Sequence, residues 1–279
     1  MPGSSLLGSG ASTGKSPSGD DPVHAIAAEA ELRQTTQEVT FHGSGAHQPR
    51  LWQSANSVSA PTITLNRQKQ TLTAEAKGPS DPVRTTLLSN PPKKPATQTG
   101  SQSGSSAANS GKSQTPSVIR LRSGDLHYSE GERLALFHSG SVGRVTAETT
   151  ETGGSATIVS QEAEVRLEPA GSRSSPQSEP SGQPGPAPRQ ASSSSIDQLI
   201  AHNHVTVNWP DRKGAGEKLV YLSDDGTFTL TGSSTAPPRI TDQARGSVTG
   251  NALIFHSRDD SVTVEGDGAK TATETQSPK

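Results

Sequence analysis

The chain has 279 residues, of which 28% are hydrophobic and 3% aromatic, with 28 Gly, 21 Pro, no Cys and a formal net charge of -2; its mean hydropathy is -0.65. So little apolar material excludes one thick globular core of this length and favours thin layered sheets joined by unstructured chain. Disulfides and thiolate metal sites are excluded, no basic stripe interleaved with aromatics invites nucleic acid, and no run approaches the roughly 20 apolar residues of a spanning helix.

Residues 1–21 read as a Gly/Ser-rich tail without the charged start and apolar centre of a secretory signal. The tail contains SGASTGKS (9–16), which returns as SAANSGKS at 106–113. Both end like a phosphate-binding loop, but Ser9 and Ser106 stand where its first Gly belongs. Neither sits between a strand and a helix, so nucleotide binding is not expected. The first ordered block is 22–88. Its opening, DPVHAIAAEAELRQ (21–34), reads as a short helix or an entry strand, and TQEVTFH (36–42) follows in strand style. VSAPTITLNRQKQTLTAEA (58–76) then sets Ile63 and Leu65 before a polar turn and Leu72 and Ala74 after it.

Residues 89–117 combine Pro, Ser, Gly and Gln without apolar periodicity and read as a disordered linker. In the second block, 118–168, GDLHYSEGERLALFHSG (124–140) is a looser copy of the same unit. Leu126 and Tyr128 open it, and Leu134 and Leu136 close it if the turn holds one extra residue. ATIVSQEAEVRLE (156–168) reads as a half-unit, and 169–195 as a second linker. The third block, 196–268, opens with IDQLIAHNHVTVNW, another half-unit. GEKLVYLSDDGTFTLTG (216–232) follows, with Leu219, Tyr221, Phe228 and Leu230 alternating with polar neighbours. GNALIFHSRDDSVTVEG (250–266) repeats it, placing Leu253, Phe255, Val262 and Val264 at one constant displacement. Residues 269–279 read as a tail.

A period of two is the strand signature, and two such runs about a polar turn make a hairpin with one apolar face. Four copies predict a stacked, antiparallel all-β architecture. Stacking turns the apolar positions into a continuous lining, either an ordinary closed core or the wall of a groove. The recurring Asp224/Asp225 and Asp259/Asp260 are expected to support hairpin turns rather than form a paired-carboxylate site. His202 and His204 could share a strand face, but a zinc site would need further ligands. Trp52 and Trp209 read as sheet-edge packing. No nucleophile–base–orienter set can be assembled, so no enzyme and no cofactor are expected.

The phrase Gly216-x-x-Leu219-x-Tyr221, Gly226, Leu230-x-Gly232, then Pro238-Arg239-Ile240, is continued by Gly246-x-Val248-x-Gly250-x-x-Leu253-x-Phe255 and Val262-x-Val264-Glu265-Gly266. This series resembles the OstA-like family of lipopolysaccharide-export proteins, which includes LptA and domains of LptC and LptD. The lead-in SIDQLIAHNHVTV (195–207) is similar too, with Asn203 where the family usually has Gly. The resemblance implies a twisted antiparallel β-jellyroll, partly open along one side, whose groove shelters lipid A acyl chains.

On that reading the lining comprises Ile63, Leu65, Leu72, Leu126, Tyr128, Leu134, Leu136, Leu219, Tyr221, Phe228, Leu230, Leu253, Phe255, Val262 and Val264. The resemblance further implies a periplasmic protein, whose start would then be truncated here. It also implies lipopolysaccharide as ligand and edge-strand pairing with LptC-like and LptD-like partners or with further copies. The edges expected to pair are 36–42 and the stretch from Ser261. The alternative is a structural β-repeat scaffold or surface adhesin with a closed core and no lipid.

Overall fold

A computed structural model of the chain describes residues 22–44, 47–89, 117–151, 154–168, 196–244, 246–257, 260–266 and 272–274. The two loop-like motifs at 9–16 and 106–113 lie outside them, as do both tails apart from 272–274 and nearly all of 89–117 and 169–195. In chain order the strands begin β1 (His24–Ile26), β2 (Glu29–Arg33), β3 (Glu38–His42), β4 (Arg50–Gln53), β5 (Asn56–Ser59), β6 (Thr62–Asn66), β7 (Thr71–Glu75) and β8 (Val83–Ser89). There follow β9 (Ser117–Ser123), β10 (Asp125–Ser129), β11 (Leu134–His138), β12 (Val145–Glu151), β13 (Gly154–Ser160) and β14 (Glu162–Leu167). The last are β15 (Ile196–Asn208), β16 (Arg212–Leu222), β17 (Thr227–Thr231), β18 (Arg239–Asp242), β19 (Gly246–Thr249), β20 (Ala252–His256), β21 (Ser261–Glu265) and β22 (Ala272–Glu274). The sole helical element among the described residues is a 3-10 turn, Gly140–Val142. DPVHAIAAEAELRQ is therefore two strands, β1 and β2, not a helix.

All pairings are antiparallel and trace two ladders. The first runs β1-β4-β5-β8-β9-β12-β13 and then through the far half of β15 and the near half of β16 to β18, β19 and β22. The second runs β2-β3-β6-β7-β10-β11-β14-β15-β16-β17-β20-β21. The ladders face each other as the two layers of a jellyroll, and the long strands β15 and β16 belong to both. Successive hairpins alternate between ladders, which is why one apolar face per hairpin suffices to build a shared interior. The strands flanking the first Pro/Ser-rich segment pair directly, Ser89 with Ser117. Those flanking the second, β14 and β15, pair as well. The three sequence blocks thus form one continuous structure.

Where β15 changes ladder, its pairing with β16 shifts between His202 and Val205. Asn203 and His204 there take φ of 65° and 53°. The left-handed region suits Gly and, among other residues, Asn, which explains why Asn203 is accommodated there. The bulge also breaks the strand alternation that would have set His202 and His204 on one face. On β16, a Cβ at Gly214 would meet Val207 Cγ1 at 2.7 Å, so glycine lets the two strands turn the corner in contact.

Candidate functional site

The second ladder builds the interior from two rows of residues held opposite one another. One row passes Leu65–Leu72–Tyr128–Ala135–Val165–Leu199–Tyr221–Phe228–Phe255–Val262. The other passes Ile63–Ala74–Leu126–Phe137–Ala163–Ala201–Leu219–Leu230–Leu253–Val264. Directly opposed residues share a face, so thirteen of the fifteen expected lining residues fall in these rows. Leu134 and Leu136 do not. They pair with Ser129 and His127, which puts them on the outer face.

Leu126 instead pairs with Phe137 and Tyr128 with Ala135, the same separations as Leu219 with Leu230 and Tyr221 with Phe228. The turn therefore has no extra residue. Following the larger Leu side chains past a small inward Ala slips the register by one position. In the second ladder the described hairpin turns β2–β3, β6–β7, β10–β11, β16–β17 and β20–β21 each have a left-handed residue two positions before the first inward residue of the return strand: Gln37, Gln70, Arg133, Gly226 and Asp260. Asp260 thus matches Gly226 rather than an aspartate of the earlier copy, and Asp259 lies outside the described residues.

The interior is not uniform along its length. In the C-terminal half Leu219, Tyr221, Phe228, Leu230, Leu253 and Phe255 are all buried. Tyr221 and Phe228 lie 4.7 Å apart between ring centroids. Trp209, reaching in from the far end of β15, stands edge-on to Phe255 at 4.7 Å and to Phe228 at 5.5 Å. It is interior packing, not sheet-edge packing.

Arg212 closes this end. Its side chain is 1% exposed, 2.9 Å from Asp211, 3.5 Å from Asp242 and 2.7 Å from Asp260, with Cζ 4.8 Å from the Phe255 centroid. Burial disfavours its charge, but the hydrogen bonds it donates to Asp211 and Asp260 outweigh that and raise its pKa. Asp260 belongs to the turn between β20 and β21 of the second ladder, and Arg212 to a strand of the first, so the pair ties the layers together.

In the N-terminal half the layers stand apart around a cavity of about 640 Å³. One wall is Leu65, Leu72, Leu126, Tyr128, Ala135 and Phe137; the other is Leu51, Val58, Thr85 and Leu87 from the first ladder. Here Ala135 stands at the hairpin position that Phe228 holds in the other half, which leaves space beside Tyr128. The mouth lies at the hairpin turns, between Ser54, Arg67, Gln70, Glu130, Arg133 and Glu168. The Tyr128 hydroxyl donates to Glu130 at this rim. Burial, then that bond and the carboxylate's charge, push the phenol pKa above its ordinary value.

Ile63 is core beneath the cavity, 0% exposed. Val262 and Val264 are half-buried beside the closed end. Sequence reasoning missed Phe137, Ala135, Leu51, Leu87 and Arg212. The constant hairpin separation carried the signal for the first two, and nothing in the repeat pointed to the rest.

Among the described residues, β1 and β2 at one end and β21 and β22 at the other each pair on one side only. The segment 36–42 is different, because β3 lies between β2 and β6. The N-terminal edge is one hairpin arm earlier than the sequence reading put it, since β2 was hidden in a helix-like composition. Val23 just before β1, Ile26 on β1 and Leu32 on β2 stand 55%, 62% and 60% exposed. Among the described residues no group of three or more His, Asp or Glu is arranged to hold a metal ion, and no helix is long and apolar enough to cross a membrane.

Fold and cavity define an all-β, two-layer jellyroll with, among the described residues, strands paired on one side only at both ends, and in one half a chamber with apolar walls and a polar rim. No protein-family model matches the chain, and no curated protein matches it. Among solved structures it is similar to LptH from Pseudomonas aeruginosa, described as the LptA homologous periplasmic component of the conserved lipopolysaccharide transport device. The two are 12% identical over 77% of this chain and 85% of that one, with a TM-score of 0.30. Likeness at that level assigns no function.

Proposed function

We propose that this chain is a periplasmic lipopolysaccharide-binding transport protein that shields acyl chains in the N-terminal half of its interior. The observation that carries this reading is the apolar chamber open at the hairpin turns, on a repeat whose sequence resembles the OstA-like family. At roughly 30 Å³ per water-sized group, about 640 Å³ holds on the order of twenty methylenes, one long acyl chain or two short ones. Each buried methylene gains about 0.8 kcal/mol. A twelve-carbon chain would gain about 10 kcal/mol gross, against an association cost of about 4–15 kcal/mol.

The two nearly offset, so binding is reversible, as handing cargo onward requires. The polar rim of Arg67, Arg133, Glu130 and Glu168 leaves a charged head group in water. The one-sided edges β1/β2 and β21/β22 suit strand addition to LptC-like or LptD-like partners or to further copies.

A second reading, a scaffold or adhesin with a closed core, draws on the packed aromatic half behind Arg212. Co-purification separates the two. Protein isolated from a lipopolysaccharide-producing envelope and extracted for lipid should carry stoichiometric lipopolysaccharide. Lipid-free protein that instead retains glycan or protein ligands would establish the scaffold.

A further inference from the structure

The outer faces of the two layers carry opposite charge. Across the second ladder one outward row passes Glu75, Asp125, His138, Glu162 and His202. Across the first, the corresponding row passes Arg50, Ser59, Arg84 and Arg122, then Thr146. Arg50, Arg84 and Arg122 are all exposed. Arg84 and Arg122 stand directly opposite each other on neighbouring strands, an arrangement that destabilises a sheet unless something negative lies between the two side chains.

No carboxylate among the described residues supplies that charge. None lies within ion-pair distance of Arg50, Arg84 or Arg122. Asp81, which lines the same concavity as Arg84, accepts from Gln48 Nε2 at 3.1 Å, and Gln48 Oε1 in turn accepts from Arg84 Nη1 at 3.1 Å. The neutral amide thus orients Arg84 without neutralising it and leaves the rest of its fork free. Arg50 is steadied from the other side, its Cζ 5.9 Å from the Trp52 centroid, and Trp52 stacks on His24 at 5.3 Å. Between Arg50 and Arg84 the surface forms an open concavity of about 880 Å³, with Gln48, Ser59 and the Asp81 carboxylate in its lining and the exposed Ile26 at its edge.

We propose that the outer face of β4, β5, β8 and β9 binds a phosphate group, held between Arg50, Arg84 and Arg122. Neighbouring strands are about 4.8 Å apart, so the two opposed guanidinium groups can reach one phosphate from either side. Arginine forks match the several acceptor oxygens of phosphate, and Ser59 and Gln48 add neutral donors. This face looks away from the interior chamber, so the site stands whether or not the chamber takes acyl chains.

The test uses the full chain and two probes: vesicles of phosphatidylglycerol in phosphatidylcholine, read by co-sedimentation, and inorganic phosphate, read by calorimetry. An arginine near an anionic membrane contributes about 1 kcal/mol, or about fivefold. The Arg84→Gln/Arg122→Gln double variant should therefore bind about 25-fold more weakly, while Lys213→Gln, on the same face in the other half, binds like wild type. Vesicle binding without phosphate binding assigns the site to a lipid head group, and binding of both assigns it to phosphate in general. Should the Gln variant fail to fold, Arg84→Lys/Arg122→Lys keeps the charge but loses the forks, and an intermediate loss is expected. Wild-type protein that binds neither probe, or a folded double variant that binds either as tightly as wild type, overturns the proposal.

Discussion

If the N-terminal half holds open space and the C-terminal half does not, one substitution should have opposite effects in the two. Ala135 is 4% exposed, faces Tyr128 across the ladder and lines the chamber. Ala201 is 0% exposed, faces Leu219 and lies in packed interior. Full burial of a phenylalanine side chain is worth about 1.5–3 kcal/mol. Because the chamber mouth leaves part of the new ring wet, Ala135→Phe is expected to stabilise by about 1 kcal/mol. At Ala201 the same ring has no space, and overpacking should cost about 1–3 kcal/mol or more.

The new ring at 135 also takes the place of two or three methylenes of a guest, a loss of about 2 kcal/mol or roughly 30-fold in affinity. Urea unfolding reads the first pair of effects as shifts in midpoint at constant slope, and displacement of a fluorescent acyl probe reads the last. A destabilisation at 135 as large as that at 201, or probe affinity unchanged by Ala135→Phe, would refute the chamber.

Arg212→Ala should lower stability by about 3 kcal/mol, since it strips the cover from Phe255 and leaves the 14%-exposed Asp242 without its cation, whereas Asp260→Asn, at a 54%-exposed partner, should cost less than about 1 kcal/mol in the same unfolding assay. Gln70→Gly should raise stability by about 0.5–1 kcal/mol, because a left-handed conformation costs a side-chain-bearing residue about 1–2 kcal/mol and glycine returns part of that as chain entropy. The folded phenol of Tyr128 holds its proton more tightly than the unfolded one, so its contribution is complete below about pH 10 and fades as pH rises beyond it; stability measured above pH 10 should fall less steeply in Tyr128→Phe.

The alternation of Leu219, Tyr221, Phe228 and Leu230, and its return at Leu253, Phe255, Val262 and Val264, made strands, hairpins and stacking legible, because a period of two is written locally. The slip at Leu134 and Leu136 shows the limit of reading size as direction. An inward Ala135 beside an outward Leu136 reverses the apparent face, and only the constant separation of paired residues corrects it. Open chamber and closed core were not separable in sequence. That choice depends on what Leu51, Leu87 and Trp209 bring from the opposite layer, at sequence distances no local pattern spans. Arg212 was illegible for the same reason: Asp242 and Asp260 meet it only once β18 and the β20–β21 turn are in place. Ala and Glu in EAELR favour a helix in isolation, and pairing with β3 overrides them.

The most direct measurement places a photo-crosslinking amino acid at Leu72, on the chamber wall, and at Phe255, in the packed half, in cells that make lipopolysaccharide. Capture of lipopolysaccharide at 72 and none at 255 is the predicted outcome. No capture at 72 in protein shown to be folded would contradict the account.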